Sequence, residues 1–261
     1  MTHSNKSNML PFLSHLESLR WHLVRSIISI FIASILAFIN KSFIFDNIIF
    51  ACKENDFPTY ILLCHLSEKL CMQDMPFILM NVEMAGQFTM HIMVSFVVGL
   101  ILAFPYLVFE IWRFISPGLH SHERLYSILL FFFSIILFAI GILFGYFIII
   151  PFSINFLSTY IISDTIENNI HFISFIRTIS TIVLTSGVLF QLPIVVYFLT
   201  KFNFVNSNQL KQYRRHSFVI ILLLASVLTP PDIFSQILIA IPIVILYEFS
   251  IFISYLTSSK T

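Results

Sequence analysis

The sequence predicts an all-α integral membrane protein with six transmembrane helices and both termini in the cytoplasm. Three observations predict it. Of 261 residues, 58% are hydrophobic and only 10% are charged, whereas a soluble domain carries about 25% charged residues. The apolar residues form long uninterrupted runs, unlike the alternating short segments of a membrane barrel. The 14 Lys and Arg residues also divide unevenly between alternate connecting segments. The composition leaves too little polar surface for an ordinary cytosolic enzyme, a disordered chain or a nucleic-acid binder working through a basic face. Six glycines and ten scattered prolines fit no collagenous or low-complexity class.

A helix crossing a hydrocarbon core of about 30 Å needs about 20 mostly apolar residues. Apolar helices are predicted at 23–40, 88–112, 127–151, 178–199, 217–229 and 233–253. With the N-terminus inside, Lys6, Arg20, Arg25, Arg113, Arg124, Lys201, Lys211, Arg214, Arg215 and Lys260 are cytoplasmic. Only Lys41, Lys53, Lys69 and Arg177 are external. Bases on the inner side set topology. The whole chain, 1–261, reads as one membrane domain.

Residues 1–22 form a polar cytoplasmic N-terminus in which Leu16, Leu19 and Leu23 recur at helical spacing. This is an amphipathic helix running into the first span. No small-residue cleavage site follows that span, so it reads as a retained anchor. Ser14 and Glu17 have the S-x-x-E spacing of a capping box. The alternative for Glu17 is a carboxylate held at the membrane surface for a cationic partner.

Residues 41–87 form an external cap whose short apolar stretches, Ile61 to Leu63 and Phe77 to Met80, are predicted as amphipathic helices. Its three cysteines, Cys52, Cys64 and Cys71, lie in a compartment that permits disulfides. Closure of a short Cys64–Cys71 loop and free packed thiols both fit. The spacing matches no zinc or haem pattern.

The cytoplasmic loop 113–126 contains Glu123, an acid in a basic setting. At the start of the third span an acid is favoured by the helix dipole. The same carboxylate can take a guanidinium through two parallel hydrogen bonds, which Lys cannot imitate. Glu110 can pair with Arg113 one turn on. The third span carries Gly141 and Gly145, a GxxxG spacing. Gln191, followed by Pro193, is a buried amide in the fourth span that needs a partner.

A second cytoplasmic loop covers 200–216. The fifth span stops at Pro230-Pro231 after covering about 20 Å, short of the core. Beyond it, Asp232 can cap the sixth helix and Gln236 lies one turn on. There is no HExxH, GxSxG, glycine-rich phosphate loop or intramembrane Asp pair, so neither enzymatic activity nor a metal is indicated. A small secondary transporter would need ionisable groups or broken helices at midplane, and only Gln191 and Pro193 are offered there.

Taken together, several ordered runs resemble the TatC family, the multispanning receptor subunit of the twin-arginine protein translocase. They are HLESLRWHL at 15–23, Glu83 to Phe88, Phe104-Pro105, FISPGLHSHER at 114–124, Gly187 to Pro193, Tyr213 to Arg215 and TPPDIFSQ at 229–236. They cover nearly the whole chain. The resemblance implies a glove-like concave bundle of six helices, the last two short, with no catalytic activity and no cofactor. It implies a multi-pass protein of the bacterial cytoplasmic membrane that binds the twin-arginine signal peptide of folded cargo at its cytoplasmic face.

The family's loop glutamate corresponds to Glu123, with Phe114, Pro117 and Arg124 as supporting positions and Glu17 and Arg20 on the N-terminal helix. Pro230, Asp232 and Gln236 match the external motif, and Gln191 stands where the family usually has Glu. Single-span TatA/TatB-type partners, further copies of the chain and the bilayer are the implied partners, with export driven by the proton-motive force. No nucleic acid is implied. The residue before Leu19-Arg20 is Ser18, where the family carries its second acid.

Overall fold

The computed structural model describes residues 6–54, 56–66, 78–116, 124–159, 169–201, 204–228 and 233–258. Four stretches are long and apolar enough to cross a membrane: Glu17–Ile39, Gly86–Ile115, Ile128–Thr159 and Phe172–Lys201. They coincide with the first four predicted spans, each extending beyond the predicted bounds at one end or both.

Helix α1 runs without interruption over Lys6–Ile39, joining the cytoplasmic N-terminus to the first span. Because it begins upstream of Ser14, Ser14 is a helix-interior residue and cannot act as an N-cap. The capping-box alternative for Glu17 is thereby removed.

After α1 the chain turns through α2 (Lys41–Ile44), a π-helical turn (Phe45–Ile49), a 3-10 turn (Phe50–Lys53) and α3 (Pro58–Leu66). The predicted helix at Ile61 to Leu63 is therefore present. Of the second predicted stretch, Phe77 lies outside the described residues, and Ile78–Met80 is strand β1, paired in parallel with β2 (Asn169–His171). So short a segment cannot repay the cost of helix nucleation, and pairing satisfies its backbone groups instead. This two-stranded ribbon is the one addition to the helical plan among the described residues.

The second span is α4 (Gly86–Ile115), which contains Pro105. The third is α5 (Arg124–Phe144), a π-helical turn (Gly145–Ile149) and α6 (Ile150–Thr159). Pro151 has no N–H to offer the carbonyl one turn back, that of Phe147. That carbonyl accepts instead from the Thr59 hydroxyl on α3. Tyr146 donates to the Ile48 carbonyl at 2.7 Å, and Tyr60 to that of Cys52 at 3.0 Å. Phe57, only 3% exposed, fills the space against Tyr60, Tyr146 and Phe147. The external cap is thus hydrogen-bonded to the outer end of the third span. Within it Cys64 is disulfide-bonded, whereas Cys52 is a buried free thiol; Cys71 lies outside the described residues.

The fourth span is two helices, α7 (Phe172–Leu189) and α8 (Leu192–Lys201), with a turn at Phe190-Gln191. Pro193 cannot donate to the Leu189 carbonyl and its ring would clash there, so the ladder breaks. The GxxxG glycines pack inside the chain. A methyl group on Gly141 would fall 2.8 Å from Phe190 Cβ, and one on Gly145 would collide with the Ser186 hydroxyl.

Helix α9 (Ser207–Gln212) leads into α10 (Arg214–Leu228) and α11 (Ile233–Ser258). With 15 residues, α10 covers about 22 Å, less than the hydrocarbon core. The described apolar part of α11, Ile239–Tyr255, is also shorter than the four full spans. Thr200 donates to the Ser254 hydroxyl at 2.9 Å, a buried link from α8 to α11.

The helices cluster into two compact units. One comprises Met1–Asn40 and Ser95–Ile135, the other Lys41–Val94 and Ile136–Thr261. In the first, Gly99 lets α4 approach α1 so closely that a Cβ would meet the Ser34 backbone at 2.6 Å.

Candidate functional site

The cytoplasmic ends of α1 and α4 belong to the first unit and bring together side chains from two distant parts of the chain. Glu110, on α4, is 2% exposed. Its carboxylate accepts from the Tyr106 hydroxyl at 2.7 Å and contacts His22 Nδ1 of α1. The expected Arg113 pairing is therefore replaced. Tyr106 lies four positions before Glu110 on the same face, and α1 supplies His22 across the helix contact.

Phe114, in the last turn of α4, is half-buried with its ring edge-on to His22 at 6.0 Å. Trp112 packs on Phe109 and Phe131, and its buried Nε1 has no acceptor among the described residues. Arg25, one turn beyond His22, lines with Tyr106 a groove of about 380 Å³ along α1 and α4. Glu17 and Arg20 are both exposed on α1, before His22. Arg124 is the first residue of α5. Pro117 and Glu123 lie outside the described residues.

In the second unit the predicted polar positions are separate from one another. Gln191 is half-buried at the break between α7 and α8, where its backbone carbonyl accepts from the N–H groups of Ile194 and Val195. Gln236, on α11, donates to the Leu222 carbonyl of α10 at 3.0 Å. Pro230 and Asp232 lie outside the described residues. At the cytoplasmic end, Arg214 donates to Glu248 at 2.7 Å, and Tyr247 donates to the Leu210 carbonyl at 2.8 Å. Among the described residues no group of His, Cys, Asp and Glu could hold a metal ion.

The family model described as Sec-independent protein translocase protein (TatC) matches residues 14–242. The chain belongs to the TatC family. It is accordingly a multi-pass protein of the bacterial inner membrane, a component of the Sec-independent protein translocase and not an enzyme. It works in a Tat complex with other subunits.

A TatC from Blattabacterium sp. subsp. Periplaneta americana is 41% identical over 98% of this chain and 99% of its own. One from Aquifex aeolicus is 34% identical over 96% of this chain and 97% of its own. A crystal structure of the twin arginine translocase receptor TatC matches with a TM-score of 0.73 and 31% identity, covering 94% of this chain and 99% of the other. Coverage so complete aligns this TatC with its relatives end to end.

His22 and Tyr106 were not singled out from the sequence. The Tyr106–Glu110 spacing was a usable signal, since positions four apart share a helix face. Nothing local to His22 marks its partner.

Proposed function

We propose that this TatC is the cytoplasmic receptor for twin-arginine signal peptides and that Glu123 is the primary carboxylate for the arginine pair. The observation that carries the reading is the FISPGLHSHER run within the matched span 14–242. It places one acid in a loop flanked by Arg113 and Arg124. A carboxylate there receives a guanidinium fork through two charge-assisted bonds, and lysine cannot reproduce that geometry. Phe114, Pro117 and Arg124 shape the loop. Glu17, exposed on α1, offers a second carboxylate, with Arg20 one turn on.

Peptide binding then nucleates assembly with single-span TatA/TatB-type subunits and further copies of the chain, for export driven by the proton-motive force. Gln191, Pro230, Asp232 and Gln236 are the positions proposed for partner contact. Gln191 supports this role because it sits half-buried at a helix break, and a polar amide within the bilayer favours a hydrogen bond to a neighbouring helix.

Crosslinking of a twin-arginine peptide to the cytoplasmic loops, with and without Glu123→Gln, tests the receptor reading. The substitution is expected to abolish crosslinking to a paired-arginine peptide, and undiminished crosslinking would overturn it. Loss of partner co-purification with Gln191→Leu tests the assembly reading, and full co-purification would remove Gln191 from it.

A further inference from the structure

The second unit contains an open cavity of about 570 Å³ at the outer ends of the second and fourth spans, within the range of small-ligand pockets. Lys41 and Asp46 line it from the turn that follows α1, and Gln87 and His91 line it from the start of α4. Its walls are aromatic: Phe45 stands edge-on to His91 at 5.9 Å, and Phe50 lies 6.5 Å from Phe172.

Lys41 and Asp46 are both exposed, and they form no ion pair with each other among the described residues. The side chains of Lys41, Asp46 and Gln87 form no hydrogen bond among those residues. Five positions apart, the two charges do not share the three- or four-residue spacing that pairs side chains on a helix surface. Asp46 stands on the π-helical turn Phe45–Ile49, and such turns recur at functional sites. The cavity therefore offers a cation, an anion and an amide against an aromatic wall. It lies where two stretches long and apolar enough to cross a membrane begin, Gly86–Ile115 and Phe172–Lys201.

We propose that this cavity binds an outer-leaflet aminophospholipid, a lipid whose headgroup carries a phosphate and a primary ammonium. Lys41 and Gln87 take the phosphate oxygens, Asp46 takes the ammonium, and the phenylalanines line the glycerol and upper acyl chains. A headgroup with a phosphate alone leaves Asp46 unpaired and repelled. A quaternary ammonium has no N–H to donate to it. The assignment is independent of the signal-peptide reading, since it involves none of those residues.

The test is native mass spectrometry of the delipidated full-length protein with phosphatidylethanolamine, phosphatidylglycerol and phosphatidylcholine of matched chains. Phosphatidylethanolamine is expected to be retained on the order of tenfold better than either, the worth of one charge-assisted hydrogen bond. Asp46→Asn should erase that preference and Asp46→Glu should keep it. Lys41→Gln should lower retention of all phospholipids. Equal retention of the three lipids by the wild-type protein would overturn the proposal, as would a preference untouched by Asp46→Asn. Soluble glycerophosphoethanolamine is expected to bind far more weakly than the lipid, and equal binding would make the occupant a soluble phosphoester. Both side chains are exposed, and coincident thermal unfolding of each variant with wild type is expected to show that folding is intact.

Discussion

His22 and Glu110 lie 88 positions apart in the chain and meet side chain to side chain where α1 crosses α4. Their side chains are 14% and 2% exposed. A buried carboxylate needs its acceptors filled, and Glu110 is supplied from its own helix by Tyr106 and from α1 by His22. The contact therefore locks two helices at the cytoplasmic surface, on the same stretch of α1 that carries Glu17 and Arg20.

Replacing His22 by Leu leaves Glu110 with Tyr106 as its remaining described partner. The expected cost is about 1–3 kcal/mol, the penalty for a buried polar group stripped of a hydrogen bond. Thermal unfolding of the detergent-solubilised protein measures it. The double variant His22→Leu/Glu110→Leu removes the orphaned acid together with its partner and is expected to recover much of the loss, a coupling that a mutant cycle isolates. Additive losses would show that the two side chains do not interact.

The contrast between these residues explains what was legible in the sequence. The four full spans follow from hydropathy because lipid demands an apolar surface over a fixed length. The short fifth span was visible because two prolines end it. The Tyr106–Glu110 bond was within reach of helical spacing, but His22 was not, since a contact between distant helices leaves no local signature. Likewise Gly141 and Gly145 had an obvious spacing, yet their partners Phe190 and Ser186 became evident only with α7 in place. Ile78 to Met80 was misassigned to a helix because apolar content does not distinguish a short helix from a strand whose partner is some ninety residues away. Pro193 marked the break in the fourth span through backbone chemistry alone.

Gly145 gives a second prediction. A methyl group there collides with the Ser186 hydroxyl and would lie 3.1 Å from its Cβ. Gly145→Ala is expected to destabilise by about 1–3 kcal/mol, as overpacking does. Ser186→Ala removes the colliding oxygen, so the double variant should regain most of the folded yield. If it remains as unstable as Gly145→Ala alone, the close contact lies elsewhere.

Cys52 gives a third. It is fully buried, and burial pushes its thiol up to about 12, against the opposing pull of the Tyr146 hydroxyl. The thiolate is the reactive form, so a maleimide is expected to leave Cys52 unlabelled in the folded protein at neutral pH and to label it after denaturation. The folded-state value is raised above the ordinary 9.0. The stabilising effect is therefore intact below about pH 9 and is lost as pH rises from there towards 12, because the unfolded chain ionises first. Rapid labelling of the native protein at pH 7 would contradict the burial.

The last prediction concerns Ser18, which is exposed on α1 beside Glu17. Adjacent helix positions point about 100° apart, so Glu17 and Ser18 address different directions. If the N-terminal helix contributes a carboxylate to the arginine pair, Ser18→Glu adds a second acid on a neighbouring face. A surface ion pair is worth about 0.2–1 kcal/mol, which corresponds to as much as a fivefold gain in affinity. The gain should shrink at high salt, because exposed charges are screened, and should be smaller for a paired-lysine peptide. Titration of a labelled signal peptide against the two proteins at low and high salt measures both effects. Unchanged affinity at low salt would place Ser18 away from the bound arginines.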